Sequence, residues 1–244
     1  MSRINAEPLR KIISSHIGLR SVEPDIYSVL PESADSGSYD TLFGTLYDRI
    51  ACSRLYNRMI WGYSTGEYHR LCREALESST SGWVLDAGCG SLAFTAEIYS
   101  AYSKRPVVFL DRSVRLLRIA KTRLAGRHAR VPDNSILLQA DVRRLPFEPG
   151  CIGTLISLNL LHVFQDGDLR QVLTEMKRVL SNTGTLYLTT LVENNRWADG
   201  YLRMWGRAGE LVPRNADRLR AIFGELEWGF DCRTRGNLAF ISAR

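Results

Sequence analysis

From Trp83 onward the sequence alternates between two rhythms. Compact apolar runs at 83–87, 107–110, 136–140, 152–158 and 185–191 read as strands, and most stop at glycine, aspartate or asparagine. Between them, at 92–102, 114–124 and 169–180, apolar positions recur every three to four residues, as on the buried stripe of a helix. The run 152–158 is apolar almost throughout, which suits a strand covered on both faces. Such alternation closes into right-handed βαβ units on a mainly parallel sheet with helices on both faces. It argues against all-α and all-β architectures.

The flanks break this rhythm. Residues 1–80 predict a helical cap or lid with no buried strand. Pro8 can open a short helix carrying Leu9, Ile12, Ile13 and Ile17 at helical spacing. Positions 21–40 are rich in Ser, Pro, Asp and Gly and read as a loop, whereas 41–60 and 67–76 read as helices. The core is then 81–244. Two helical stretches, 195–209 and 216–223, make a cap insertion at about 193–225, and 237–242 can form a closing strand.

Composition bounds the function. With 244 residues and 45% hydrophobic content, the chain can build a core without staples. The longest apolar stretch, 155–164, is cut by Ser157, Asn159 and His162, far short of the roughly 20 apolar residues of a membrane span. Residues 1–15 lack a signal-peptide core. Five cysteines without a C-x-x-C pair argue against a disulfide framework or structural zinc, and no metal is expected; a reducing cytoplasm is the simplest compartment. The net charge of +6 is local: residues 104–130 hold nine basic residues and one acid, Asp111, while the rest is slightly acidic.

Val84-Leu85-Asp86-Ala87-Gly88-Cys89-Gly90-Ser91 joins a predicted strand to a predicted helix. Glycines let backbone approach a ligand, and a helix N-terminus offers N–H groups, so a nucleotide-like ligand fits. Gly88, Gly90 and Ala93 also satisfy the dinucleotide pattern G-x-G-x-x-A. Asp86 discriminates between the ligands. Its carboxylate would repel a pyrophosphate but attract the ammonium and sulfonium of S-adenosylmethionine. Asp111 ends the second strand, 21 residues past Gly90, where an acid can accept from ribose hydroxyls. Asp141 ends the third strand, where it can accept from an adenine amino group while Val142 packs on the ring. Asp111 or Asp141 alone can also be read as the cap of the next turn or helix, but three acids at three successive strand ends surround one adenosyl group.

Here the sequence resembles class I S-adenosylmethionine-dependent methyltransferases, and within them the ubiquinone/menaquinone-biosynthesis type. Asp86–Gly90, with Cys89 between the glycines, matches the first motif D-x-G-x-G. Asp111 matches the ribose acid, Asp141-Val142 with Leu145-Pro146-Phe147 the adenine motif, and Asn159 to His162 the segment after strand four. Arg178-Val179-Leu180 before Gly184 matches the lead into strand five. The resemblance covers about 41–191 and implies a seven-stranded, Rossmann-like sheet whose last strand is antiparallel. It departs at Leu92, where many members have glycine, and at Val163, where many have a second histidine.

The implied reaction is in-line displacement of methyl from sulfonium to a nucleophile, in which the protein mainly aligns the partners. His162 stands as the candidate general base, or else as a backbone-bonded histidine that shapes the pocket. Asn159 is expected to orient cofactor or acceptor, and Arg112 to cover the adenine edge. Tyr47, Tyr56 and Trp61, with Tyr39 and Tyr63, either fold over the site and line an acceptor pocket or pack as core aromatics. Trp197, Tyr201 and Trp205 share a helix face that suits a flat or lipid-like acceptor, or else core packing of the cap. Arg112, Arg115, Arg118 and Lys121 recur every three residues and suit an anionic partner or a solvated face.

The reading is therefore a methyltransferase using S-adenosylmethionine on a small organic acceptor. The alternatives are an RNA or protein methyltransferase, a non-catalytic S-adenosylmethionine-binding regulator, and an NAD-dependent oxidoreductase. The sequence carries no RNA-binding module, and the acceptor, the methylated atom and the oligomeric state are not legible in it.

Overall fold

The computed structural model describes residues 6–31, 53–78, 81–126, 130–194 and 196–243. Nine strands form a single sheet: β1 (Arg20–Glu23), β2 (Ile26–Ser28), β3 (Trp83–Ala87), β4 (Val107–Asp111), β5 (Ser135–Gln139), β6 (Ile152–Leu158), β7 (Leu180–Leu191), β8 (Phe230–Arg235) and β9 (Leu238–Ala243). Their spatial order is β1-β2-β5-β4-β3-β6-β7-β9-β8. The strands β5, β4, β3, β6 and β7 run parallel, as the alternation predicts. β9 inserts antiparallel between β7 and β8, which realises the antiparallel last strand that the resemblance implies.

The fold class stands, but two expectations are corrected. The sheet has nine strands where seven were expected, and the segment read as a loop contributes the surplus. β1 and β2 form a tight hairpin, with Asp25 in the left-handed region at φ 70°, and β2 adds in parallel to the edge of β5. Ile26 is fully buried beside its partner Leu137 on that edge, so tertiary pairing overrides a turn-rich composition. Residues 1–80 are therefore not helical throughout. The second correction concerns 92–102, of which only Ala96–Ser100 is helix. Leu92 adopts φ 54°, a conformation that interrupts a right-handed helix.

Alternate residues of each central strand face opposite layers. Leu85, Leu155 and Leu186 join one core, with the helix Asp166–Val179; Val84, Ile156 and Tyr187 join the other, with Gly66–Glu77 and Val114–Ala125. Gly153 lets Ser81 run directly over β6, because a Cβ there would lie 1.7 Å from the Ser81 carbonyl oxygen. The chain leaves β3 toward β4 and β5 on one side and later fills β6 and β7 on the other. The crevice beyond the carboxyl ends of these strands is the switch point where α/β sheets bind ligands.

Candidate active site

A cavity of about 510 Å³ opens at that switch point. The glycine loop after β3 forms its floor. Gly88 and Cys89 donate backbone N–H groups to the Leu110 carbonyl at 2.7 and 2.9 Å, which ties the loop to the end of β4. Gly88 and Gly90 take φ 70° and 55°, and a Cβ on Gly88 would lie 2.8 Å from the methyl carbons of Leu160. Both the turn and the close approach of the post-β6 loop therefore require glycine at 88. Cys89 lines the cavity as a small side chain, and burial raises its thiol well above the ordinary value, so it is no nucleophile.

Asp86 is the most informative side chain. It is 1% exposed, and its Oδ2 accepts from the Tyr99 hydroxyl at 2.8 Å. Its Oδ1 is buried with no hydrogen-bond partner among the described residues. Burial pushes the carboxyl up to about 7; the Tyr99 bond works the other way, and the Asp111 charge adds to the rise. A buried carboxylate oxygen without a donor is costly until a cation or an N–H meets it. The ammonium and sulfonium end of S-adenosylmethionine meets that demand, and a pyrophosphate would aggravate it.

The other two acids serve the loops as well as the cavity. Asp111 accepts from the Gly90 amide at 2.8 Å and the Ser113 amide at 2.9 Å. Asp111 also lines the cavity, where ribose hydroxyls can donate to its carboxylate. Asp141 is held by Arg143, whose guanidinium donates to it at 2.7 Å and also reaches Asp168 at 3.3 Å. Burial opposes its charge, but the Arg143 bonds and the nearby Arg112, 3.8 Å away, keep the carboxyl below its usual range. Val142 is 7% exposed and lines the cavity beside it.

Asn159 follows β6 in a left-handed conformation at φ 56°. Its Nδ2 donates to the Tyr68 hydroxyl at 2.5 Å, and a one-way chain of donors continues. Tyr68 donates to Tyr63, Tyr63 to Asn57, and Asn57 to the Ser53 carbonyl. His162 sits in the turn Leu161–Val163, 4% exposed, lining the cavity. Its Nδ1 accepts from the Leu191 amide at 3.3 Å. Burial, with the Arg214 guanidinium nearby, pushes the imidazole down to about 4.

Asp86, Gly88, Cys89, Gly90, Asp111, Arg112, Asp141, Val142, Asn159 and His162 thus all line one cavity. Of the expected acceptor residues, Tyr56, Trp61, Trp197 and Tyr201 do not. Tyr47 lies outside the described residues. Tyr56, Trp61 and Tyr201 form a separate ring cluster: the Tyr56 hydroxyl donates to Tyr201 at 3.0 Å, and the Trp61 and Tyr201 rings are 5.5 Å apart. Trp197 is 92% exposed, because the helix Arg196–Arg207 buries Ala198 and Leu202 instead. Its four-residue spacing with Tyr201 straddles the border between core and solvent. Sequence reasoning missed Tyr68, Phe94 and Arg143. Tyr68 and Phe94 line the cavity and stack with centroids 5.0 Å apart. Phe94, four residues after Gly90, was the more legible of the two; nothing local marked Tyr68.

The basic segment also has structural work. Arg118 pairs with Glu23 at 3.0 Å and Lys121 at 3.5 Å, so two of its cations fasten the β1–β2 hairpin.

A parallel sheet with a glycine loop, an orphaned acid and two further strand-end acids defines a nucleoside-binding site whose ligand carries positive charge beside its ribose. Comparison with known proteins agrees. The methyltransferase domain family matches residues 84–184. Over 173 residues the chain is 30% identical to the ubiquinone/menaquinone biosynthesis C-methyltransferase UbiE of Syntrophotalea carbinolica, covering 69% of this chain and 69% of that one. It is 31% identical over 108 residues to the malonyl-acyl-carrier-protein O-methyltransferase of Legionella pneumophila, a match spanning 44% of this chain and 36% of that protein. Among solved structures, the cyclase SpnF superposes with a TM-score of 0.65 at 15% identity, covering 84% of this chain and 93% of its own, which is a likeness of fold. The chain belongs to the class I S-adenosylmethionine-dependent methyltransferases, with UbiE-like sequence.

Among the described residues, no helix is long and apolar enough to cross a membrane, and no cluster of His, Cys, Asp and Glu has metal-binding geometry.

Proposed function

We propose that this protein transfers a methyl group from S-adenosylmethionine to a small organic acceptor by in-line displacement. The observation that carries the reading is the orphaned Oδ1 of Asp86 in a cavity ringed by Asp111 and Asp141. When bound, the cofactor supplies an already activated methyl group. The chain's own task is placement, which can contribute about 7–11 kcal/mol when reacting atoms are aligned. Asp86 would hold the cationic end, Asp111 the ribose hydroxyls, and Asp141 with Val142 the adenine, with Arg112 over its edge. Asn159, fixed by Tyr68 and by the Thr189 carbonyl, which accepts its amide at 2.9 Å, would orient the methionyl end.

For the acceptor, the apolar side of the cavity offers Phe94, Leu160, Val163 and Phe164. The names of the two curated relatives, a ubiquinone/menaquinone biosynthesis C-methyltransferase and a malonyl-acyl-carrier-protein O-methyltransferase, support an organic acceptor over a nucleic acid. Glu23 partly neutralises the basic helix face, which weakens the case for an RNA substrate.

Calorimetric titration with S-adenosylmethionine, S-adenosylhomocysteine and NAD side by side tests the reading. Binding of the first two without NAD is expected. Binding of NAD alone refutes it, and cofactor binding with no turnover of any acceptor class would favour a regulator.

A further inference from the structure

We infer that His162 meets the methyl acceptor as a hydrogen-bond donor through Nε2, and that the acceptor is one that arrives as an oxyanion. This rests on the methyl-transfer reading above. The argument begins with the far side of the ring. Nδ1 faces the backbone of β7, where the Leu191 amide donates to it at 3.3 Å, and Thr190 Oγ1 lies 3.4 Å from the same nitrogen. A strand amide is a donor that cannot rotate. Nδ1 must therefore present its lone pair, and in a neutral imidazole the proton then sits on Nε2. The opposite tautomer would set two N–H groups against each other and leave a buried amide unsatisfied, at a cost of about 1–3 kcal/mol.

The ring is also held neutral. It is buried, and the charged groups packed behind it are Arg214 and, bonded to Arg214 at 2.7 Å, Asp166. Nε2 has no protein partner among the described residues, and with Nδ1 turned to β7 it is the ring nitrogen left for the cavity that His162 lines. What reaches the acceptor is then an N–H, which cannot take up a proton. Among the described residues, no other lining carboxylate is placed to do so. Asp111 is engaged by two amides, Asp141 and Asp168 share Arg143, and Asp86 sits at the cofactor's cationic end.

An acceptor must consequently have lost its proton to water before it binds, which selects carboxylic acids, acidic phenols and enols over alcohols and over amines in their ammonium form. In the step itself the acceptor's electron pair forms the new bond to the methyl carbon. The carbon–sulfur bond breaks with its pair remaining on sulfur, and no proton leaves at this site. The Nε2–H would stabilise the negative charge of the docked acceptor.

The test uses the full chain loaded with S-adenosylhomocysteine and ring-nitrogen NMR of His162 from pH 5.5 to 8. The expected result is a proton on Nε2 and a bare Nδ1 throughout, with the Nε2 signal moved by benzoate and unmoved by benzyl alcohol. A proton on Nδ1, a ring that titrates within this range, or an Nε2 signal that benzoate does not move overturns the inference. Calorimetry on the same sample separates the two claims: absence of S-adenosylhomocysteine binding defeats the methyl-transfer reading, whereas binding with the wrong tautomer defeats only this one.

Discussion

Replacing Asp86 with asparagine separates the cost of this residue to the fold from its use to the ligand. The folded carboxyl titrates near 7 because burial disfavours its charge, against an ordinary value of 3.8. The sign follows from the raised value: the neutral form fits the fold, so stability is fully present below the unfolded value and is lost as pH rises toward the folded one. About three pKa units correspond to about 4 kcal/mol as an upper bound on that loss. Without ligand, Asp86→Asn should therefore melt higher than the native chain at pH 8, and the gap should close toward pH 4. Ligand binding should run the other way. A cationic ligand selects the ionised acid, so affinity for S-adenosylmethionine should rise roughly 15-fold between pH 5.5 and 7, a range in which an α-ammonium stays protonated. Removing the charge should cost about 1.5–3 kcal/mol of binding and flatten that pH dependence. Calorimetric titration and thermal melts of both proteins measure all of this. Native affinity that is flat with pH, or unchanged affinity in the variant, refutes the charge argument.

Other perturbations follow from the same geometry. Gly88→Ala forces a Cβ against Leu160 at a positive φ, so a stability loss of about 1–3 kcal/mol in urea titration is expected, with weakened cofactor binding. Arg214→Met removes a guanidinium that is 4% exposed and serves both Asp166 and the Phe164 carbonyl; because Asp166 keeps Arg218, a loss of about 1–3 kcal/mol is expected in the same assay, with the His162 turn loosened in hydrogen exchange. Asp166 is held below its usual range chiefly by the bonds from Arg218 and Arg214, although burial opposes this. Its contribution is present above the ordinary carboxyl value and should fade as pH falls through the lowered one, visible as a falling melting temperature that Asp166→Asn does not share. Arg118→Ala with Lys121→Ala should free the β1–β2 hairpin, detected as faster amide exchange at Ile26 with the β3–β6 amides unchanged.

The cofactor half of the site was legible because its signals are local. A strand, a glycine turn and an acid two residues earlier are read within one stretch, and strand-end acids are counted along the chain. The parallel sheet was legible for the same reason, since period and strand length are properties of short windows. The acceptor half was not. Trp197 and Tyr201 lie four apart, which fixes their relative angle on a helix but not which side the helix turns to the core. Packing of Ala198 and Leu202 decided that, and Trp197 went to solvent.

What the sequence determined by itself, then, is the α/β architecture, the glycine loop and the three acids that meet at one end of the sheet. Tertiary structure alone decided the rest. It placed a serine- and proline-rich segment as an edge strand on β5, brought Tyr68 from a distant helix under Asn159, and clamped Asp141 with Arg143. It also turned Nδ1 of His162 to the Leu191 amide, 29 residues away in the chain. The physical reason is common to all of these. Periodicity and turn chemistry act within a few residues, whereas edge pairing, burial of a charge and the tautomer of a ring depend on groups that only the folded chain brings within hydrogen-bonding distance.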